Sequence, residues 1–209
     1  MASIDPLAEY HRRRDFSRTA EPETDRRGVD AERPCFVVQI HDATAMHFDF
    51  RLEVDGVLKS WAVPKGPSDN PHDRRLAMPT EDHPLAYRDF EGVIAPGEYG
   101  AGAVIIWDEG TYHNISTDRQ GSPVPFAEAL ASGHASFWMD GRKLHGGYAL
   151  TRTRAQGGGG GGREAWLLVK RADDRTGTEG TPDPHRARSA RSGHTLNQVA
   201  RAAAPDERP

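Results

Sequence analysis

The stretch MHFDFRLEV, residues 46–54, alternates apolar side chains with His47, Asp49, Arg51 and Glu53. Such alternation predicts a β-strand with one apolar and one polar face. A solvated strand face more often presents Lys, Thr or Ser, whereas an imidazole, a carboxylate and a guanidinium in register could bind a metal ion and a phosphate group. From this stretch alone, a polar exterior and the floor of an active site both remain open interpretations.

His41 adds a second imidazole six residues before His47 and eight before Asp49. In a straight strand this even spacing places all three side chains on one face, and a bend within residues 41–45 also brings the two histidines together. Two imidazoles and one carboxylate suffice to hold a divalent metal, with a preference for Mn²⁺ or Zn²⁺. We therefore predict His41, His47 and Asp49 as metal ligands.

The alternative is that these histidines lie on the surface, since the chain has ten. We interpret six others as surface residues: His11, His72, His113, His134, His185 and His194. His145 lies in a predicted strand and could belong either to the core or to the site.

Cationic and proton-handling side chains follow the first stretch. Lys65 comes in PKGPSDNP, Arg74 and Arg75 lie ten residues further on, and EDHP introduces His83 shortly before Tyr87. Each is ordinary as a surface residue. Their convergence beside a metal is typical of a site that neutralises phosphate oxygens and moves protons.

A two-residue hairpin turn at Asp55-Gly56 is predicted to position the polar face. In that register Arg51 lies opposite Ser60, and Asp49 lies opposite Ala62. These small partners leave space above the sheet for an ion or ligand. The other face is predicted to pack on a core through Phe48, Phe50 and Leu52.

Further short strands make the chain mainly β, with a barrel or a sandwich as the possible architectures. They are predicted at Cys35–Ile40, Val57–Val63, Ala103–Trp107, Thr111–Ile115, Ala135–Met139, Leu144–Thr151 and Ala165–Lys170. Turns are predicted at 108–110 and 140–141, and helices at Leu7–Phe16 and, ended by Gly133, at Pro125–Ser132.

Composition divides the 209 residues into three parts. Residues 1–34 are predicted to be a largely irregular segment, partly packed on the domain; residues 35–170 form the β domain, and 171–209 a disordered tail. Six glycines, Gly157–Gly162, are predicted to form a flexible loop and not a phosphate loop, because no Gly-Lys-Ser/Thr opens a helix after them.

Bulk properties exclude several classes of protein. The net charge of -4 and pI of about 6.2 provide no overall field that attracts nucleic acid. The single Cys35 rules out an internal disulfide and a Cys-rich zinc site. Without a membrane-length apolar run or a signal-peptide core, we expect a cytoplasmic protein.

Four motifs resemble the 3′-phosphoesterase module of bacterial DNA ligase D, over roughly Leu7 to Lys170. They are YHRRRDFSRTAEP, HDATAMHFDFRLEVDGVLKSWAVPKGPS, EDHPLAYRDFEGVI and GEYGAGAVIIWDEGTY. The resemblance implies a compact antiparallel β-barrel and an Mn²⁺-dependent enzyme, with Zn²⁺ or Co²⁺ as substitutes. Such modules remove a 3′-terminal ribonucleoside from DNA and then hydrolyse the remaining 3′-phosphate to a ligatable 3′-hydroxyl.

The resemblance also assigns roles to individual residues. His41, His47 and Asp49 match metal ligands. Phosphate contacts are implied for Arg51, Lys65 and Arg75, and catalysis for His83, Tyr87 and Arg51. A third group, linked mainly to the monoesterase step, comprises Arg14, Asp15, Glu21 and Glu81.

The chain departs from the family at Ala45-Met46, where an arginine and a leucine are common, so substrate grip could be weaker. With no polymerase or ligase domain in this sequence, we expect a monomer near the nucleoid whose ligase, polymerase and end-binding partners act in trans. Two alternatives remain. One is a non-catalytic module that binds 3′ ends, which the intact ligand set disfavours; the other is a metal phosphoesterase acting on RNA ends.

Overall fold

The computed structural model describes residues 5–24, 33–153, 164–177 and 181–203. In these ranges one antiparallel sheet contains nine strands, with three short α-helices and a 3₁₀ turn at Leu85–Asp89. The strands are β1 Cys35–Asp42, β2 Met46–Val54, β3 Val57–Val63, β4 Arg75–Pro79, β5 Gly92–Ile94, β6 Gly102–Asn114, β7 His134–Gly141, β8 His145–Thr153 and β9 Ala165–Lys170. The helices are α1 Ala8–Arg12, α2 Phe126–Ser132 and α3 Leu196–Ala203.

Eight of the strands close into a barrel. The sheet runs β1-β2-β3-β4-β9-β8-β7-β6, and β6 pairs back onto β1. The long β6 also carries β5 beside its first residues and β7 beside its last. The predicted mainly-β class is confirmed, and the barrel alternative is the correct one.

The β2–β3 hairpin has the predicted register. Asp55 and Gly56 both have positive φ, 50° and 83°, as a type I′ turn requires. Arg51 pairs with Ser60 and Asp49 with Ala62. The apolar face points into the barrel, where Phe48, Phe50 and Leu52 are buried.

The turn predicted at residues 108–110 is wrong, because β6 continues through them. β6 has a bulge opposite Val38 and Gln39, and Asp108 beyond it is fully buried. Its carboxylate accepts hydrogen bonds from the backbone N–H groups of residues 142, 143 and 144. Asp108 therefore stabilises the neighbouring β7–β8 turn. Gly110 is needed for a different reason: a Cβ at that position would lie only 2.2 Å from the Asp140 carbonyl oxygen.

The outer face of β1–β3 is also covered. A second apolar cluster on this face includes Val37, Leu58 and Ile106, together with Tyr10 from α1 and Tyr87 from the 3₁₀ turn. The polar face of β2 is therefore not an open exterior, because the N-terminal segment and residues 85–94 lie over it.

The ends of the chain differ from their predicted structure. The N-terminal helix spans only Ala8–Arg12, while α2 and its left-handed cap at Gly133 follow the prediction. In the tail, described as far as residue 203, α3 buries Leu196 and Val199 against the barrel core. Composition predicted disorder here because the tail contributes only a few apolar residues to the core cluster, namely these two and Ala187.

The predicted Gly157–Gly162 loop lies outside the described residues. No helix in the described ranges is long and apolar enough to cross a membrane.

Candidate metal and phosphate site

Three side chains on β1 and β2 form a candidate metal site. His41 and His47 are cross-strand partners, and Asp49 follows two residues along on the same face. One ligand atom from each lies within 4.8 Å of the others. His41 Nδ1 is 3.4 Å from the Asp49 carboxylate, and His47 Nε2 is 3.6 Å from it.

Backbone carbonyls orient both imidazoles. The Gly100 carbonyl lies 2.7 Å from His41 Nε2, and the Ala45 carbonyl lies 2.8 Å from His47 Nδ1. Because a carbonyl only accepts, the ring nitrogen that faces it carries a proton in each histidine, and the other nitrogen faces Asp49. This arrangement of outer hydrogen bonds is typical of metal-binding histidines, so the donor set fits a divalent cation.

The charges in this cluster also suit a cation. Burial alone would raise the pKa of Asp49, but Arg51 and the hydrogen bonds from His41 and His47 hold that pKa well below its ordinary value. Asp49 is therefore ionised at neutral pH. Burial opposes protonation of His47, yet its hydrogen bond to Asp49 raises the His47 pKa on balance.

Arg51 connects the metal cluster to the rest of the site and is 3% exposed. Its guanidinium lies 3.1 Å from Asp49 and donates 2.9 Å hydrogen bonds to Gln39 Oε1 and Ser60 Oγ. Gln39 in turn donates to the carbonyl of Phe90. These contacts hold the guanidinium of Arg51 in one orientation.

Sequence reasoning did not identify Gln39 as part of this support. Its position opposite Asp49 in the β1–β2 register was the available signal, but the pairing of β1 with β2 was not predicted residue by residue.

His83 lies beside Arg51. Its backbone pairs with Leu58 at the edge of β3, and its Nδ1 is 3.0 Å from Arg51 Nη1. On the other side, Nε2 is 3.3 Å from Arg14 Nη2. Burial, and then the positive charges of Arg51 and Arg14, hold the pKa of His83 well below its ordinary value. The imidazole is therefore neutral at neutral pH.

The N-terminal segment contributes a buried ion network. Arg14 donates to Glu21 at 2.9 Å and to Glu81 at 3.0 Å, and its side chain is 4% exposed. The Tyr87 hydroxyl donates to the same Glu21 carboxylate at 2.9 Å. The centroid of the Tyr10 ring lies 3.9 Å from the Arg14 guanidinium carbon. These contacts bring a segment without strand structure into the site.

One cleft of about 230 Å³ joins these groups. It is lined by Arg14, His41, Ala43, His47, Asp49, Arg51, Thr80, Glu81, His83, Tyr87, Ile94, Tyr99 and Gly100. Glu21 lies directly behind Arg14 and Tyr87. Of the lining residues, Tyr99 and Gly100 come from the turn before β6, within a motif that was quoted for the resemblance but not assigned a role.

Besides Glu21, three residues predicted for the site do not line the cleft. Asp15 is exposed and accepts from Ser17, and Lys65 is exposed just beyond β3. Arg75 pairs with Asp73 at 2.8 Å. Because Met78, three positions further along β4, pairs with Ala62 on the face that carries Asp49, Arg75 belongs to the opposite face.

His145 is neither core nor part of the cleft. Its side chain is 42% exposed and lies 3.8 Å from Asp140.

Comparison with known proteins agrees with the motifs. Residues 39–152 match the family model of the DNA ligase D 3′-phosphoesterase domain. The multifunctional non-homologous end joining protein LigD of Pseudomonas aeruginosa is 49% identical over 176 residues, which is 83% of this chain and 19% of that protein. LigD of Mycobacterium tuberculosis is 48% identical over 149 residues, or 71% of this chain and 18% of that protein.

LigD of Mycolicibacterium smegmatis is 40% identical over 153 residues, covering 73% of this chain and 20% of the relative. The chain thus spans about a fifth of the length of these relatives. Since the family model covers more than half of the chain and its matched region contains the whole metal cluster, the chain belongs to the family of DNA ligase D 3′-phosphoesterase domains.

Proposed function

We propose that this protein is an Mn²⁺-dependent phosphoesterase that processes the 3′ ends of broken DNA. It would remove a 3′-terminal ribonucleoside as a phosphodiesterase and then the 3′-phosphate as a phosphomonoesterase, leaving a ligatable 3′-hydroxyl. The observation that supports this best is the cleft itself. It places a preorganised His41–His47–Asp49 ligand set beside the fixed guanidinium of Arg51.

His41, His47 and Asp49 would hold the metal, Mn²⁺ or in its place Zn²⁺ or Co²⁺. When bound, such an ion neutralises phosphate oxygens and lowers the pKa of a coordinated water. Arg51 would bind the phosphate without reorganising, because Gln39 and Ser60 already fix its orientation.

His83 would act on the reacting group, and Tyr87 would support the catalytic centre beside it. In the free enzyme the lowered pKa of His83 keeps its imidazole neutral, so it can exchange hydrogen bonds with the phosphate or the water. To protonate the leaving oxygen it must first take up a proton, which the negative charge of a bound phosphate favours. Tyr87, hydrogen-bonded to Glu21, would position that carboxylate together with Arg14.

The remaining predicted residues would act around this centre. Arg14, Glu21 and Glu81 would serve mainly the monoester step, because a terminal phosphate carries more negative charge than a diester. Asp15, Lys65 and Arg75 do not line the cleft, so we assign them contacts with parts of the DNA strand beyond the reacting phosphate.

We further propose that residues 35–170 form the phosphoesterase barrel domain, that the N-terminal segment completes its site through Arg14 and Glu21, and that the protein works as a monomer near the nucleoid. Its product, a 3′-hydroxyl, is what a DNA ligase or polymerase consumes. A ligase, a polymerase and an end-binding protein are therefore the partners that the chemistry suggests.

The test is a product analysis with labelled primer–templates. The metal-free protein is incubated with Mn²⁺ and primers that end in a 3′-phosphate or in one ribonucleotide, and an all-RNA primer is run in parallel. We expect the wild-type protein to convert both DNA ends to 3′-hydroxyl. The conversion should be absent in Asp49→Asn and retained in the surface control His145→Asn.

Binding to these ends without any cleavage would overturn the proposed enzymatic activity and favour an end-binding module. Faster cleavage of the all-RNA primer would instead favour a role on RNA ends.

A further inference from the structure

An aromatic side chain stands exposed at the rim of the cleft. Tyr99 is 47% exposed and lines the same cavity as His41, Asp49 and Arg51. In the described ranges, the other exposed large hydrophobic side chain is Leu76, at 46%, and it does not line this cleft. A single exposed aromatic residue is ordinary by itself, so the observation that points to a ligand is the position of Tyr99 in the lining of this cleft.

The turn that carries Tyr99 is firmly anchored. Backbone hydrogen bonds join Glu98 N–H to the Ala95 carbonyl and Ala101 N–H to the Glu98 carbonyl, each at 3.1 Å. The Glu98 side chain is 10% exposed and pairs with Arg18 at 2.8 Å. The next residue, Gly100, has a φ of 76° and supplies the carbonyl that orients His41. Tyr99 is therefore adjacent in the chain to a group that fixes a metal ligand.

Two arginines hold the ring without covering it. The Arg13 guanidinium carbon is 4.8 Å from the ring centroid, and an Arg13 N–H donates to the Tyr99 hydroxyl. The Arg14 guanidinium carbon is 5.6 Å from the same centroid. Arg13 is itself held by Glu81 at 3.2 Å. The ring is thus held and electrostatically supported, while Tyr99 as a residue remains 47% exposed.

Arginine-supported aromatic rings suit the bases of unpaired nucleotides, since every base offers a π-face for stacking. A strong bulk attraction for phosphates is absent, because the chain has a net charge of -4. Affinity for a strand end must then come from local contacts such as stacking. With its hydroxyl engaged by Arg13, the ring would not discriminate between bases.

We infer that Tyr99, supported by Arg13, is a stacking platform for the nucleobase of the nucleotide whose 3′-phosphate occupies the cleft. This inference rests on the proposed function and names the part of the substrate that the metal and the arginines do not contact.

The test compares Tyr99→Ala and Tyr99→Phe on two 3′-phosphate primers, one with a natural terminal base and one with an abasic terminal nucleotide. On the natural primer, Tyr99→Ala is expected to raise KM about 5- to 100-fold, in line with the loss of one stacked base. Tyr99→Phe keeps the ring, so its KM should stay within about threefold of the wild-type KM. On the abasic primer, wild type and Tyr99→Ala should have equal KM. Leu76→Ala is the matched control, an equally exposed side chain away from the cleft.

An unchanged KM for Tyr99→Ala on the natural primer would overturn the inference that Tyr99 stacks on the terminal base. So would an equal loss on both primers, because it would mean that the ring only supports the turn around Gly100. Mn²⁺ binding, followed by electron paramagnetic resonance, reports on that turn independently and should be unaffected in Tyr99→Ala.

A binding measurement separates this inference from the proposed activity. A primer with 2-aminopurine at its 3′-terminal nucleotide should lose fluorescence on binding to wild type and Tyr99→Phe, but not to Tyr99→Ala. If wild type binds with quenching but cleaves nothing, the phosphoesterase proposal fails and the platform stands. If it cleaves without quenching, the platform fails alone.

Discussion

The cleft has two halves that are built in different ways. One half, here called the metal half, contains the proposed metal ligands His41, His47 and Asp49, which come from adjacent positions in the register of β1 and β2. The N-terminal half, Arg14, Glu21 and Glu81, is held by buried ion pairs whose partners are 7 and 67 residues apart. The barrel backbone therefore fixes the first half, whereas the second exists only while the N-terminal segment is docked. Four substitution experiments examine this difference.

The largest effect is expected in the metal half. Asp49→Asn keeps the size of the side chain but removes the charge that the metal requires, so hydrolysis of both 3′-phosphate and ribonucleotide ends should fall on the order of a thousandfold or more. Steady-state rates at saturating Mn²⁺ measure this, with His145→Asn as the surface control. Full turnover by Asp49→Asn would refute the metal assignment.

A substitution in the N-terminal half should affect the two reactions unequally. Glu21→Gln removes a buried partner of Arg14 and loosens its guanidinium, so hydrolysis of the more highly charged 3′-phosphate should drop roughly 10- to 100-fold, as for outer-sphere support. Removal of a 3′-terminal ribonucleoside cleaves a phosphodiester, which carries less charge, so the rate of that reaction should fall less.

Parallel assays on 3′-phosphate and ribonucleotide ends give the ratio of the two rates. Glu23→Gln, which changes an exposed glutamate of the same segment, serves as the control. Equal losses in both reactions would show that Glu21 supports the whole cleft and not one step.

Acidification should destabilise the protein through His83, where the two halves meet. The unfolded chain protonates this histidine below about pH 6.5, while burial, Arg51 and Arg14 keep the pKa of the folded His83 lower. Stability is therefore unaffected above that pH and falls below it, by up to about 1.4 kcal/mol per pH unit.

Denaturant unfolding in EDTA between about pH 7 and about pH 5 measures the slope. The free energy of unfolding of His83→Gln should depend less steeply on pH than that of wild type, by up to about 1.4 kcal/mol per pH unit. Identical slopes in the two proteins would count against a buried neutral imidazole at His83.

The smallest effects are expected outside the cleft. Lys65→Ala removes an exposed charge, and Arg75→Ala removes a largely buried partner of Asp73 away from the cleft. Each should change KM for 3′-phosphate primers only a few-fold and leave kcat unchanged. A large loss of kcat in either variant would mean that the side chain moves into the cleft when substrate binds.

The sequence allowed prediction of the metal half because its information is local. A positive-φ turn at Asp55-Gly56 and strict alternation determine the β2–β3 register, and even spacing places His41 on the same face. The same reasoning failed at residues 108–110, where Asp and Gly suggested a turn. There the buried Asp108 instead anchors a neighbouring loop through three backbone N–H groups, a contact between distant residues that no periodicity reports.

The N-terminal half was reached only through family resemblance. Arg14 and Glu81 are joined by tertiary packing, which leaves no signature in spacing, and Tyr99 lies in a glycine-flanked turn that looks like an ordinary loop. The order of α3 was missed for a similar reason, because Leu196 and Val199 become a core only when the barrel is present.

The most direct measurement is a titration of the metal-free protein with Mn²⁺, in which bound ion is counted by electron paramagnetic resonance and 3′-phosphate hydrolysis is assayed in the same samples. One ion per chain should bind, and activity should rise in proportion to that occupancy, with neither seen in Asp49→Asn. Full hydrolysis in EDTA, or activity that saturates without Mn²⁺ bound in the wild-type protein, would contradict a metal-dependent centre at His41, His47 and Asp49.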